Sequence, residues 1–193
     1  MFQNQADVEG GIHSEIEGSV AKVGAVLIKE EDIQRRVKEL AAKISADYQT
    51  YHPMFVGILR GAFVFLADLL RNLTVPATVD FITISGYGEG TKHSGAVRLL
   101  SDLNTNIEGK DVIVVEDIVD TGLTLNYLLE IFRARKPNSL TVCALLDKRD
   151  QRQVAVPLTY VGFQIPNQFV VGYGLDYKQE NRQLPYIAVL EET

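Results

Sequence analysis

Apolar residues recur at helical spacing in three segments of the chain, at residues 33–44, 62–71 and 123–136. In the first, Ile33, Val37 and Ile44 fall on one side, as the apolar face of an amphipathic helix requires. Pro137 ends the third segment, because proline cannot continue a helix. The pattern therefore predicts three helices, each with one face against a core.

Short apolar runs alternate with these helices and predict strands. The runs are residues 54–59, 78–84, 111–115, 140–146, 160–163, 169–172 and 186–190. Such alternation predicts an α/β fold with a mostly parallel central sheet that has helices on both faces. Residues 97–103 are expected to return beside residues 78–84 as a hairpin.

Length and composition indicate one globular domain. The chain has 193 residues, of which 46% are hydrophobic, enough for a substantial core. Residues 1–20 are expected to form a loose leader. No apolar run reaches the ~18 residues needed to span a bilayer. The single cysteine, Cys143, lies in an apolar strand and favours a buried structural thiol in a reducing compartment, so we expect a cytoplasmic protein.

Charge limits the classes of partner. The formal net charge is −6 and the sequence pI is about 5.1, which argues against a protein with a basic nucleic-acid-binding surface. His13, His52 and His93 lack the spacing of metal ligands. These features leave open a small anionic ligand held in a local pocket.

The most informative chemistry follows the strand at residues 111–115. Glu116 and Asp117 end the apolar run, Asp120 comes three residues later, and Thr121 and Gly122 open the next helix. Free amides at a helix start bind phosphate, whereas carboxylates suit hydroxyl groups or Mg²⁺. The segment suggests a ribose 5-phosphate that carries a second, metal-bound phosphate group. The alternative is an ordinary helix capped by Asp120 or Thr121, with Glu116 and Asp117 solvated.

The string Val-Ile-Val-Val-Glu-Asp-Ile-Val-Asp-Thr-Gly-Leu-Thr, residues 112–124, closely resembles the phosphoribosyl-pyrophosphate-binding motif of the type I phosphoribosyltransferases. Residues 30–190 as a whole are similar to the hypoxanthine-guanine members of that family. The resemblance implies the type I phosphoribosyltransferase fold, with a small base-binding hood and a flexible β-hairpin loop. It also implies purine salvage with Mg²⁺: a phosphoribosyl group is transferred to hypoxanthine or guanine.

The resemblance implies how the donor would be bound. The ribose and its phosphate would contact Glu116, Asp117, Asp120, Thr121, Gly122, Leu123 and Thr124. The diphosphate would contact Arg60, Gly61 and Arg182. The metal site would involve Glu116, Asp117 and Asp176. In the family, the peptide that corresponds to Leu59–Arg60 can be cis, which sequence alone does not reveal.

The resemblance also implies a base site formed by Lys148, Phe169, Val170 and Asp176. Lys148 is an obligate hydrogen-bond donor, so it favours a 6-oxo group over the 6-amino group of adenine. Phe169 would stack on the purine, and the Val170 backbone would bond its pyrimidine edge. Asp120 is the candidate catalytic residue, as the proton partner of purine N7. Without the resemblance, Phe169 and Val170 are expected in the core.

The glycine-rich segment after residue 84 matches the family's flexible loop in place and length. The family usually has a Ser-Tyr pair there, whereas here Gly86 stands between Ser85 and Tyr87.

Two other functions fit parts of the pattern. The enzyme could use another base: xanthine remains open, and Lys148 and Phe169 weigh against pyrimidines. A regulator that senses phosphoribosyl pyrophosphate and binds nucleic acid would need a basic face, against which the net charge argues. The resemblance further implies a homodimer or homotetramer that binds neither nucleic acid nor membrane.

Overall fold

The computed structural model describes residues 22–86 and 97–191. In chain order their elements are β1 Lys22–Ile28, α1 Glu30–Asp47, β2 Met54–Leu59, α2 Phe63–Arg71, β3 Thr78–Gly86, β4 Val97–Ser101, β5 Asp111–Val119, α3 Leu123–Ala134, β6 Ser139–Asp147, a short 3₁₀ turn at Arg149–Gln151, β7 Tyr160–Gln164, β8 Val170–Val171 and β9 Ile187–Glu191. No helix in these two ranges is long and apolar enough to cross a membrane.

The larger sheet has six strands in the order β4-β3-β2-β5-β6-β7. All neighbouring strands are parallel except β4, which runs antiparallel to β3 as the predicted hairpin. The predicted α/β class and mostly parallel sheet are confirmed. The carboxyl ends of β2, β5 and β6 meet at one edge, where ligands bind in open parallel sheets.

Helices cover both faces of this sheet. α1 and α2 pack on one face, where Ile33, Val37 and Ile44 are fully buried as the helical spacing predicted. α3 packs on the other face through Leu128 and Phe132. Each such side chain contributes about 1.5–3 kcal/mol by burial, so the two cores hold the sheet edge rigidly.

A second, antiparallel sheet of three strands has the order β1-β9-β8. We call it the hood, because it corresponds to the small unit expected beside the main sheet. Strand β1 was not predicted from the sequence. Its sequence, Lys-Val-Gly-Ala-Val-Leu-Ile, contains an apolar run, but of its seven residues Ile28 alone is buried.

Several element boundaries differ from the sequence prediction. Glu116 and Asp117, expected in a loop, belong to β5, which pairs with β6 as far as Val119. Ser85 and Gly86 likewise belong to β3, because they pair with β4. Pairing with a neighbour thus extends both strands into polar sequence. Helix α3 ends at Ala134 rather than residue 136, because Lys136 has a left-handed φ of 53°.

Candidate active site

A cavity of about 260 Å³ lies at the carboxyl edge of the large sheet. The loop after β2 contributes Arg60 and Gly61, the end of β5 contributes Glu116 and Asp117, and the start of α3 contributes Thr124. The structure therefore brings together two of the three strand ends that the sequence singled out. The third, at the end of β6, approaches through Lys148.

The carboxylates of β5 face a poorly solvated environment. The Oε2 atom of Glu116 is shielded from solvent and has no hydrogen-bond partner among the described residues. Burial, and next the charge of Asp117, raise the pKa of Glu116 well above its usual range. Burial also raises the pKa of Asp117 to about 6. Both side chains are only partly exposed, which does not fit the solvated carboxylates of the ordinary-helix alternative.

Two glycines bring the backbone close to Asp117. The peptide between Leu59 and Arg60 is cis. Next to it, a Cβ on Gly61 would stand 1.6 Å from Asp117 Oδ2. On the other side, a Cβ on Gly174, which has a φ of 100°, would stand 2.2 Å from the carbonyl oxygen of Gly61. No larger residue fits either position, so the loop after β2 is wedged between β5 and the hood.

The arginines expected to bind diphosphate share one acceptor. Gln179 Oε1 accepts hydrogen bonds from Arg60 Nη1 at 2.9 Å and from Arg182 Nη2 at 3.1 Å. Arg182 also donates to the carbonyl of Gly174 at 2.7 Å and lies 2.7 Å from Asp176 Oδ1. Gln179 was missed in the sequence, because a lone glutamine carries no signal apart from its partners.

The start of α3 has the features of an anion cradle. Gly122 precedes the helix with a left-handed φ of 82° and has no side chain to cap it, although the Leu123 amide donates a long hydrogen bond of 3.4 Å to Thr121 Oγ1. Amides at a helix start lack partners within the helix, and such amides commonly bind anions. A side chain at Gly122 would meet Val154 O at 2.7 Å. Glycine is therefore needed at residue 122 for two reasons: the backbone has a positive φ, and there is no space for a side chain.

Of the residues expected to bind the base, Lys148 lies beside this cradle. Lys148 is only 8% exposed, and its Nζ lies 3.6 Å from Asp120 Oδ2. Phe169 is 53% exposed and contacts Tyr177 edge to face, with 5.7 Å between ring centroids. The expectation that Phe169 belongs to the core is therefore wrong, whereas Val170 is buried as expected. An exposed aromatic side chain is a surface on which a planar ring can stack.

Some expected features fall elsewhere. Tyr87 lies outside the described residues, and so do residues 1–20. Cys143 is buried, and burial raises the pKa of its thiol, in agreement with a structural role. Within residues 22–86 and 97–191, no three metal-ligating side chains are grouped closely enough to hold an ion by themselves. Glu116 and Asp117 still fit Mg²⁺, which is commonly held by one or two carboxylates together with substrate oxygens and water.

Comparison with known proteins agrees with this geometry. The profile of the phosphoribosyl transferase domain matches residues 27–178. The hypoxanthine-guanine phosphoribosyltransferase of Bacillus subtilis is 48% identical over 166 residues, which cover 86% of this chain and 92% of that protein. The enzyme of the same name from Streptococcus agalactiae is 48% identical over 167 residues, covering 86% and 93%.

Solved structures of phosphoribosyltransferases also align with this chain. The crystal structure of a hypoxanthine-guanine phosphoribosyltransferase from Bacillus anthracis, with a HEPES molecule in its active site, aligns with a TM-score of 0.83. It is 46% identical and covers 89% of this chain and 99% of its own. A hypoxanthine phosphoribosyltransferase from Staphylococcus aureus aligns with a TM-score of 0.83 at 44% identity, covering 88% and 92%. The chain therefore belongs to the phosphoribosyltransferase family, and within it to the hypoxanthine-guanine phosphoribosyltransferases.

Proposed function

We propose that this cavity transfers the 5-phosphoribosyl group of phosphoribosyl pyrophosphate to hypoxanthine or guanine, giving IMP or GMP and diphosphate. One observation carries the assignment of the site. Two poorly solvated carboxylates, an anion cradle and a buried lysine converge on one sheet edge. Hydroxyls, a phosphate and a carbonyl oxygen are the groups that this set would recognise.

Glu116 and Asp117 would bind the ribose. Carboxylate oxygens accept hydrogen bonds. The Oε2 atom of Glu116, which has no partner among the described residues, would accept from a ribose hydroxyl or contact a cation. When ionised, these carboxylates would stabilise the positive charge that develops on the sugar in the transition state. When bound, Mg²⁺ neutralises the leaving diphosphate. Asp117 and Glu116 are the residues that would hold it, with Asp176 contributing through water.

The 5′-phosphate and the diphosphate of the donor would bind to different sets of residues. Residues 120–124 provide backbone amides and two threonine hydroxyls for the 5′-phosphate. Arg60 and Gly61, with Arg182, would hold the diphosphate, and Gln179 orients both guanidinium groups. Holding both ends fixes C1 of the ribose between the leaving group and the base, which lowers the entropic part of the barrier.

Asp120 would exchange the proton of purine N7. It lies at the start of the cradle and its side chain is 48% exposed. Removal of the proton at N7 makes N9 more nucleophilic, and in reverse the acid returns it. Such positioned groups commonly contribute about 10²–10⁴-fold.

Lys148 would donate to the 6-oxo group, Phe169 would stack on the ring, and the Val170 backbone would bond the pyrimidine edge. Asp176 Oδ1 lies 2.7 Å from Arg182 Nη2, and Asp176 Oδ2 accepts a hydrogen bond of 2.8 Å from the backbone N–H of Gln179. Its nearer role is therefore to orient the diphosphate arginine, and a direct purine contact would need this pair to open.

Three wider features complete the proposal. Ser85, Gly86 and Tyr87 would belong to the loop that closes over the reaction centre. The chain would act as one domain in the cytoplasm and assemble as a homodimer or homotetramer. Exposed apolar side chains on α2 and β3 support self-association, since Phe63 is 44% and Phe81 42% exposed.

A base panel tests the function. Protein, Mg²⁺ and phosphoribosyl pyrophosphate are incubated with hypoxanthine, guanine, xanthine, adenine and uracil, and the nucleotides are separated. IMP and GMP, with little AMP or UMP, are expected. The amount of xanthosine monophosphate shows how well xanthine is used as a substrate. No nucleotide from any base, with the donor still bound, would overturn the proposal and favour a regulatory protein.

A further inference from the structure

Arg152 joins two parts of the site without being one of its ligands in the assignment above. Its Nη2 atom donates to Asp147, the last residue of β6 and the neighbour of Lys148. The rest of its side chain lies against Gly122 of the cradle. A Cβ on Gly122 would stand 3.0 Å from Arg152 Cδ and 3.3 Å from its Nη1.

The environment of Arg152 is costly for a charged group. Its side chain is 16% exposed, that of Asp147 is 8% exposed, and Nη1 is shielded from solvent with no acceptor among the described residues. A buried donor without a partner carries a desolvation penalty, and a buried ion pair commonly adds little net stability. Stability alone is therefore a weak reason for an arginine at this position.

The backbone around Arg152 is also bonded to the cradle. The carbonyl of Thr121 accepts from the amides of Gln153 at 2.9 Å and Val154 at 3.2 Å. The carbonyl of Val154 is the atom that a Gly122 side chain would strike first. The segment after β6 thus supports the loop that presents the phosphate-binding amides.

The cradle itself contains no cationic side chain. Residues 120–124 are Asp-Thr-Gly-Leu-Thr, so amides and hydroxyls would face a doubly charged phosphate beside the carboxylate of Asp120. A guanidinium in poorly solvated surroundings attracts a nearby anion more strongly than it would in water. Arg152 is placed to supply that charge at Gly122.

We propose that Arg152 is a positioning residue for the 5′-phosphate: it fixes Gly122 from the end of β6 and offsets the negative charge of a phosphate bound in the cradle. The proposal rests on the proposed function, because the cradle's ligand is a 5′-phosphate only if the chain binds ribose phosphates. It predicts a selective effect on one end of the donor.

The test uses Arg152→Gln and Arg152→Lys in the full chain with Mg²⁺. Calorimetric titration with ribose 5-phosphate, IMP and inorganic diphosphate separates the two phosphate sites. Arg152→Gln is expected to lower the affinity for ribose 5-phosphate and for IMP on the order of ten-fold. It is expected to change the affinity for diphosphate by less than about two-fold. Arg152→Lys is expected to recover part of the loss, because it keeps the charge but not the planar fork.

Steady-state kinetics should agree, with a raised KM for the donor and a kcat changed less than KM. Arg149→Gln is the matched control, since Arg149 is an exposed arginine in the same turn, and it should behave like the parent. If Arg152→Gln fails to fold, Asp147→Asn is the second variant, because it removes the anchor and leaves the charge. The same ligand pattern, of smaller size, is then expected.

Two outcomes overturn the proposal. Equal weakening of ribose 5-phosphate and diphosphate would assign Arg152 a general structural role, and unchanged ribose 5-phosphate binding in both variants would remove any role at the cradle. Failure of the proposed function is distinguishable, because the parent chain would then form no IMP in the base panel.

Discussion

Gly61 lies directly against the carboxylate of Asp117, with no space for a methyl group between them. The loop expected to hold the diphosphate and the strand expected to hold the ribose are therefore in van der Waals contact. Gly174, in the connection between β8 and β9 of the hood, closes the other side of Gly61. Any movement of one of these three groups must be transmitted to the others, because packed interiors deform little.

Replacement of Gly61 with alanine should inactivate the enzyme. The new Cβ would stand 1.6 Å from Asp117 Oδ2, so the carboxylate and the loop must separate. We expect kcat/KM for the donor to fall by about 10² or more, because misplacement of about 1 Å can cost that factor. Gly109→Ala is the control: it has a φ of 70° but open space around it. The control should lose about 1 kcal/mol of stability and keep its activity. Equal activity loss in both variants would contradict the steric argument.

Asp117→Asn should make the metal-free protein more stable while abolishing activity. Burial raises the pKa of Asp117 from 3.8 to about 6, so between these values the folded state binds the proton more tightly than the unfolded state. The free energy of unfolding of the parent therefore decreases as pH rises from about 4 to 6 and stays lowered above.

Asparagine has no charge to desolvate. The variant should therefore have a higher free energy of unfolding than the parent above pH 6, and this difference should vanish below about pH 4. Urea unfolding at pH 4, 5, 6 and 7.5 without Mg²⁺ measures this difference. An advantage that is the same at every pH would contradict the assignment of the shift to Asp117.

Asp120→Asn should impair chemistry more than binding. The amide cannot take the N7 proton, so kcat is expected to fall by about 10²–10⁴-fold. The affinity for phosphoribosyl pyrophosphate should change little, because the proposed cradle would bind the donor mainly through backbone amides. Single-turnover kinetics and equilibrium titration separate the two effects. Asp150→Asn, at an exposed aspartate near the same strand end, is the control, and an unchanged turnover in Asp120→Asn would refute the proton role.

Gln179→Leu should weaken diphosphate binding selectively. Its Oε1 is the shared acceptor for Arg60 and Arg182, so leucine would release both guanidinium groups. We expect diphosphate affinity to fall on the order of ten-fold, the loss of about one charged hydrogen bond, with ribose 5-phosphate affinity retained. Gln49→Ala, at an exposed glutamine away from the cavity, serves as the control. This pattern is the inverse of the one expected for Arg152, and weakening of both ligands would argue against the assignment.

Much of the main sheet could be predicted from the sequence because its strands are buried on both faces. The runs at β2, β5 and β6 are almost wholly apolar, and the helices between them repeat at 3.6 residues. Where strands continue by pairing alone, as at Glu116 and Ser85, polarity suggested a loop and the boundary was wrong. Local sequence carries no record of the neighbouring strand that satisfies its backbone.

The candidate site divides in the same way. Contiguous residues from Glu116 to Thr124 have a recognisable pattern, because one strand, turn and helix position them all. Gln179, Gly174 and Arg152 act through partners distant in sequence, such as Arg60, Gly61 and Gly122. Their importance is visible only when the folded chain brings those pairs into contact.

The hood has a consequence for the way the protein is made. Ile28 in β1 pairs with Ile187 in β9, so β1 must wait during synthesis for a strand that lies much later in the chain. The large sheet and the cradle can assemble earlier from contacts closer in sequence, whereas distant pairing is slow to form. A growing chain would therefore form the cradle before the hood, because the hood is complete only after β9 has been synthesised.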